Sequence, residues 1–186
     1  MVASRSAIVF SIALLERLPA YGFRVMEAVV YNPTQELMYW ASRGQGAFMR
    51  RRHLAPARLR VNTKSLEPGT ILDVEWWPQA PQKFGYFPIA IQQVSQRTGA
   101  YCLTPGSAIN GAMLVARGGC AALVFAGGTD DKVPDVTASS LIVEEADGVA
   151  LSLNGQPLDF VQFRDGALFA NKVVAKEVLR YFALRR

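Results

Sequence analysis

The side chains of this sequence that could do chemistry are few, and they gather at the starts of predicted helices. In Lys132-Val133-Pro134-Asp135-Val136-Thr137 an aspartate stands at the mouth of an apolar helix. Its simplest role is a cap, since a carboxylate accepts a hydrogen bond from a first-turn amide and Pro134 keeps the incoming chain extended. Gly106-Ser107-Ala108 opens a second helix, where Ser107 can close an orphan amide and Gly106 permits a sharp approach. Gly127-Gly128-Thr129 follows a predicted strand and could bring backbone amides to a phosphorylated ligand. Met49-Arg50-Arg51-Arg52-His53, with Arg58 and Arg60, is a basic patch that could attract a nucleic-acid backbone. With only Phe48 as a nearby aromatic, a solvated loop is the simpler reading. Asp130 and Asp131 likewise read as a solvated loop. The single histidine excludes a multi-histidine metal site. Cys102 and Cys120 fit no Cys-x-x-Cys spacing and read as reduced, buried residues of a cytosolic protein.

The elements that must position these groups change character along the chain. The first third reads as antiparallel sheet: Ala7–Leu15, Phe23–Tyr31 and Glu36–Trp40 are rich in β-branched and aromatic residues and separated by Pro, Gly and Asn. In Tyr31-Asn32-Pro33-Thr34 the asparagine can bond its own backbone and Pro33 presets the corner, so two strands fold back there. Gly44-Gln45-Gly46 supplies a second corner, and Leu59–Asn62 reads as a short strand. From about Thr63 strands and helices alternate, which implies a sheet covered by helices. Strands are expected at 71–76, 101–104, 121–126, 149–153 and 167–171, and helices at 90–97, 107–117, 136–146 and 174–184. Asp147-Gly148 should stop the third of those helices. Pro78–Pro88, with three prolines, reads as a surface loop.

Composition sets bounds on partners. The 186 residues are 51% apolar, enough for a sizeable core, and carry a net charge of +5 with a pI near 9.5. That balance points only weakly to polyanions, and small phosphates are the simplest of them. The apolar run Ala7–Leu15 is far shorter than the roughly 20 residues that span a bilayer. Arg5 and that run imitate a secretory signal, but Leu18-Pro19-Ala20 places leucine where cleavage needs a small side chain, so a buried strand is expected.

Taken in order, Tyr31-Asn32-Pro33, Gly44-Gln45-Gly46-Ala47-Phe48, Gly106-Ser107-Ala108, Asp135 and Ile142–Gly148 resemble the inositol monophosphatase family of metal-dependent sugar phosphatases. The resemblance implies a layered α/β (α+β) fold: residues 1–63 as a remnant of the amino-terminal antiparallel sheet region, and 64–186 as a complete carboxyl-terminal α/β domain. It implies a Mg²⁺-dependent phosphate monoester hydrolase, with Asp135 as a metal ligand and Gly106, Ser107 and Ala108 lining the pocket beside substrate hydroxyls. The implied partner is a small phosphorylated polyol or sugar, and the implied setting a cytoplasmic homodimer rather than a membrane. Three departures stand beside it. The family's Asp-x-x-Asp-Gly-Thr segment, which supplies most of the metal site, would lie just before Ser4. Pro134 replaces the usual Trp. The strand after the Gly-Ser-Ala helix lacks the glutamate that holds substrate hydroxyls in inositol-specific members. The chain is therefore expected to be incomplete as a catalyst, with a catalytically silent scaffold or ligand-binding module as the alternative.

Overall fold

β-branched and aromatic residues in the first sixty positions fold as a meander of five antiparallel strands in sequence order: β1 (Phe10–Leu18), β2 (Gly22–Asn32), β3 (Leu37–Ser42), β4 (Gly46–Arg51) and β5 (Ala57–Arg58). This is a computed structural model that describes residues 8–19, 22–76, 86–127 and 132–183. The Asn32 corner forms as its chemistry dictates: Asn32 Oδ1 accepts from the Gln35 amide at 3.0 Å, and the Glu36 amide donates to Pro33 O at 3.3 Å. At the next corner Gly44 and Gly46 take φ of 79° and 86°, which only glycine adopts without cost. The expected strand Leu59–Asn62 pairs earlier, as β5. Beyond it Leu59 donates to Ala47 O and Val61 to Ala146 O, so this stretch links β4 to the end of a helix instead of extending the sheet.

Register assigns the two faces of this sheet. Ala28, Ala41 and Ala47 stand side by side, with Val30 and Tyr39 in the neighbouring row, and all are buried. Their small side chains form a flat seat for helix α3 (Val133–Glu145), which packs across β1 to β4. The opposite face carries Phe10, Tyr31 and Met38 in one row and Ile12, Val29, Trp40 and Phe48 in the next.

The second sheet runs β7-β6-β8-β10-β9. Strand β6 (Ile71–Glu75) lies parallel to β7 (Tyr101–Leu103) and to β8 (Ala122–Phe125), whereas β10 (Ala167–Ala170) is antiparallel to β8 and to β9 (Val149–Leu151). Alternation along the strands feeds two cores. Leu72, Val74, Val124 and Leu168 join α1 (Phe87–Thr98) and α4 (Lys172–Ala183) on one side. Leu123, Phe125 and Phe169 join α2 (Ala108–Ala116), α3 and the first sheet on the other. Helix α3 thus lies between the two sheets, a mixed α/β layering that matches the expected fold class.

Several local expectations change. The first strand, expected to be buried, has no buried residue along β1. Helix α1 begins at Phe87 behind Tyr86, so Pro88 sits in its first turn, where proline costs little; residues 78–85 of the expected loop lie outside the described residues. At the end of α3 it is Asp147 that takes the left-handed conformation, with φ 68°, and Gly148 is needed because a side chain there would collide with Val143 and Val61. Cys102 is exposed rather than buried, while Cys120 is buried as expected.

Candidate functional site

Strand β6 reads Ile-Leu-Asp-Val-Glu, and its period-2 geometry turns Asp73 and Glu75 to the same face as Ile71, toward α2. Both carboxyls are buried, at 1% and 8% exposure. Buried carboxyls need partners, and here their situations diverge. Glu75 Oε1 accepts from the amides of Gly106 and Ser107 at 2.8 and 2.9 Å. Neither oxygen of Asp73 has a hydrogen-bond partner. Its carboxylate lies against Gly111, one turn into α2, where a Cβ would collide with it. Burial, and then the neighbouring charge of Glu75, push the Asp73 carboxyl up to about 7. Cys120 feels the same surroundings: burial first, then the Asp73 charge, raise its thiol to about 11 against the opposing pull of Arg117. So high a value leaves almost no thiolate, and Cys120 is a packing residue.

The Gly106-Ser107-Ala108 segment is built as expected. Gly106 has φ 89°, Ser107 is the cap of α2 with its Oγ accepting from the Asn110 amide at 3.4 Å, and Ala108 is the first helical residue. Asn110 continues the network, donating to Ser107 Oγ at 3.2 Å and accepting from Asn32 Nδ2 at 3.4 Å. The Asn32 corner of the first sheet therefore abuts the start of α2. Asp135 is placed differently from its expected capping position. Helix α3 begins at Val133 behind Lys132, so Asp135 is the third residue of the first turn and half-buried. There its charge favours the positive end of the helix. Asp130 and Asp131, and Gly128 and Thr129 of the glycine loop, lie outside the described residues.

His53 lies with Tyr31, Glu36, Met38, Arg50 and Arg52 around an open cleft of about 640 Å³ at the far side of the first sheet. Arg52 pairs there with Glu36. At the other end of α3 the Gly44 and Gly46 amides each donate to the Glu145 carboxylate at 2.7 Å, which ties the second hairpin corner to the helix. These glycines are structural.

The sequence model of the inositol monophosphatase family matches residues 11–183. The chain belongs to the inositol monophosphatase family. Among solved structures of this family's fold it is similar to Mycobacterium tuberculosis SuhB, at 18% identity with a TM-score of 0.73, covering 96% of this chain and 64% of that one. It is also similar to the extragenic suppressor protein suhB from Bartonella henselae, at 23% identity and a TM-score of 0.72, covering 88% and 58%. A third is SaIMPase-II of Staphylococcus aureus with inositol monophosphate bound, at 19% identity and a TM-score of 0.70, covering 94% and 63%. At such identities the likeness is one of fold, and this inositol monophosphatase family chain spans about three fifths of the length of those structures. No curated protein sequence matches it.

Against magnesium, the donor set falls short. Mg²⁺ demands near-octahedral oxygen ligation and gives up its waters reluctantly, so it needs convergent carboxylates. Among the described residues no group of three or more His, Cys, Asp or Glu converges to hold a metal ion. Asp135 alone does not fit one. Sequence reasoning missed Asp73 and Glu75, yet a signal was present. Two acids at i and i+2 in an otherwise apolar strand must share one face, and a strand flanked by parallel neighbours is buried on both.

Proposed function

We propose that this chain is part of a phosphate monoester hydrolase of the inositol monophosphatase type and carries the polyol-facing side of its site. The observation that carries this reading is the family match over residues 11–183. Gly106, Ser107 and Ala108 line the pocket at the start of α2. Asp135 would supply one carboxylate of a magnesium site whose other ligands lie outside the described residues. The reaction is attack of water on phosphorus with cleavage of the ester P–O bond, giving inorganic phosphate and the free alcohol. The substrate is a small phosphorylated polyol or sugar, in keeping with the inositol monophosphate bound to SaIMPase-II. In this reading the protein works in the cytoplasm as a homodimer; no described helix is long and apolar enough to cross a membrane.

A second reading is a ligand-binding module of the same fold without catalysis, favoured by the lack of convergent metal-type ligands among the described residues. Phosphate release from inositol monophosphate, fructose bisphosphate and p-nitrophenyl phosphate decides between them. The 186-residue chain should show little or no Mg²⁺-dependent turnover. Joining it to an upstream Asp-x-x-Asp-Gly-Thr segment, if one is encoded in frame before Met1, should restore turnover. If the extended protein binds inositol monophosphate but never releases phosphate, the module is the correct reading. Mg²⁺-dependent turnover by the 186-residue chain, lost in Asp135→Asn, would instead show that its own carboxylates suffice.

A further inference from the structure

Glu75 ends β6, and its register partner on the parallel neighbour is Phe125, the last residue of β8. The two strands finish level with each other, side by side. Ligands of open α/β sheets collect beyond the carboxyl ends of the strands, so an acid at this level stands at the edge of the sheet where a ligand would lie. The strand-end glutamate expected after β8 is missing from the sequence: Ala126 and Gly127 follow Phe125. Glu75 brings a carboxylate to the same level from one strand over.

Its orientation is fixed by hydrogen bonds. The Gly106 and Ser107 amides both donate to Oε1, at 2.8 and 2.9 Å, and the positive end of α2 adds its attraction. The consequence reaches the ligand. Amides at a helix start would ordinarily welcome an anion such as phosphate. Here two of them are already bonded to a carboxylate, whose charge repels a phosphate and attracts hydroxyl donors. We infer that Glu75 is the specificity-determining residue of this site, accepting hydrogen bonds from the hydroxyls of a neutral polyol moiety, while the phosphate of the substrate lies elsewhere. This rests on the reading of the site as one for a polyol phosphate and names the group that selects the polyol.

The test uses the 186-residue chain, its backbone amides assigned by NMR, and three probes: myo-inositol, inositol monophosphate and inorganic phosphate. Glu75→Gln keeps an oxygen for the Gly106 and Ser107 amides while removing the charge. In the wild type, myo-inositol and inositol monophosphate should both shift those two amides, and Glu75→Gln should weaken both by about tenfold or more, the scale of a hydrogen bond to a charged group. Its affinity for inorganic phosphate should hold or rise. Unchanged affinity for both inositol probes in Glu75→Gln overturns the inference and leaves Glu75 as an anchor of the α2 start, with the polyol-phosphate reading intact. A wild type that binds neither inositol probe also overturns the inference, whereas the polyol-phosphate reading is judged by phosphate release from the extended protein. A measurement on the wild type guards against a variant that fails to fold: the Glu75 side-chain carboxyl carbon should shift on adding myo-inositol and stay still on adding phosphate. A carboxyl carbon indifferent to myo-inositol also overturns the inference.

Discussion

In the second sheet the inner strands β8 and β10 have a core on both sides: Val124 and Leu168 pack toward α1 and α4, and Leu123 and Phe169 toward α2 and α3. By the described residues, the first sheet is covered on one side only. Beneath α3 its alanines are buried, but on the opposite face Phe10, Ile12 and Leu14 are 57%, 70% and 61% exposed, with Val29 and Tyr31 beside them. An antiparallel sheet with one wet face normally alternates apolar with polar residues. Here both faces are apolar, and the bare one exceeds the isolated hydrophobic residues that a monomer's surface carries without consequence. The two regions therefore draw their stability from different sources: the second sheet from burial within this chain, the outer face of the first from whatever comes to lie on it.

Core truncation gives the largest expected effect. Phe169 is fully buried on inner strand β10, and Phe169→Ala should cost about 3–5 kcal/mol, read as a fall in the denaturant midpoint. Ile12→Ala, on the bare face, should cost well under 1 kcal/mol. Equal losses at the two sites would break the comparison.

A comparable but pH-dependent effect sits within the well-covered half. The Asp73 carboxyl titrates near 7 in the folded chain against 3.8 in the unfolded one, so the folded state holds the proton more tightly. Its contribution to stability is greatest below pH 3.8, falls as pH rises toward 7, and is constant above that. The span is at most about 4 kcal/mol. Asp73→Asn cannot ionise. The stability of wild type minus that of the variant should therefore decline between pH 5 and 8 in thermal melts. A difference that stays flat across this range would mean that Asp73 does not change charge there.

Smaller in stability, but visible in assembly, is the bare face itself. Replacing Phe10, Ile12 and Leu14 by serine should abolish self-association of the wild type in sedimentation or light scattering, at the cost of β-propensity in an edge strand. A wild type that is monomeric at high concentration would show that this face needs no partner.

Much of this was legible in the sequence because it is written in local chemistry. Asn32-Pro33 dictates its corner, Gly44 and Gly46 theirs, and Ser107 its cap. Runs of β-branched and aromatic residues between turn signals located most strands, but not β4. What escaped depends on neighbours far along the chain. Nothing near Asp73 or Glu75 in sequence says that the Gly106 and Ser107 amides, some thirty residues on, bond the second acid and leave the first without a partner. Asp135 was missed by a smaller margin. Proline is tolerated in the first helical turn as well as before it, so Pro134 fits either register, and the helix starts two residues before Asp135 rather than at it.

That register changes what the smallest perturbation should do. A cap at Asp135 would make Asp135→Ala about 0.5–2 kcal/mol worse than Asp135→Asn, because asparagine still caps and alanine does not. As the third residue of α3, Asp135 holds its charge at the positive end of the helix. Both variants lose that charge, so both should cost a similar 0.3–1 kcal/mol, shrinking as salt is raised. The melting temperatures of the two variants at low and high ionic strength test this. If alanine is clearly the worse and salt has no effect, the side chain serves as a hydrogen-bonding group and not as a charge. Proposed magnesium ligation makes a separate demand, since Asn lacks the charge that Mg²⁺ requires of its few protein ligands. In a protein joined to an Asp-x-x-Asp-Gly-Thr segment, Mg²⁺ should raise the melting temperature of the wild type and leave that of Asp135→Asn nearly unmoved. An Asn variant stabilised by Mg²⁺ as well as the wild type would confine Asp135 to its helix-end role.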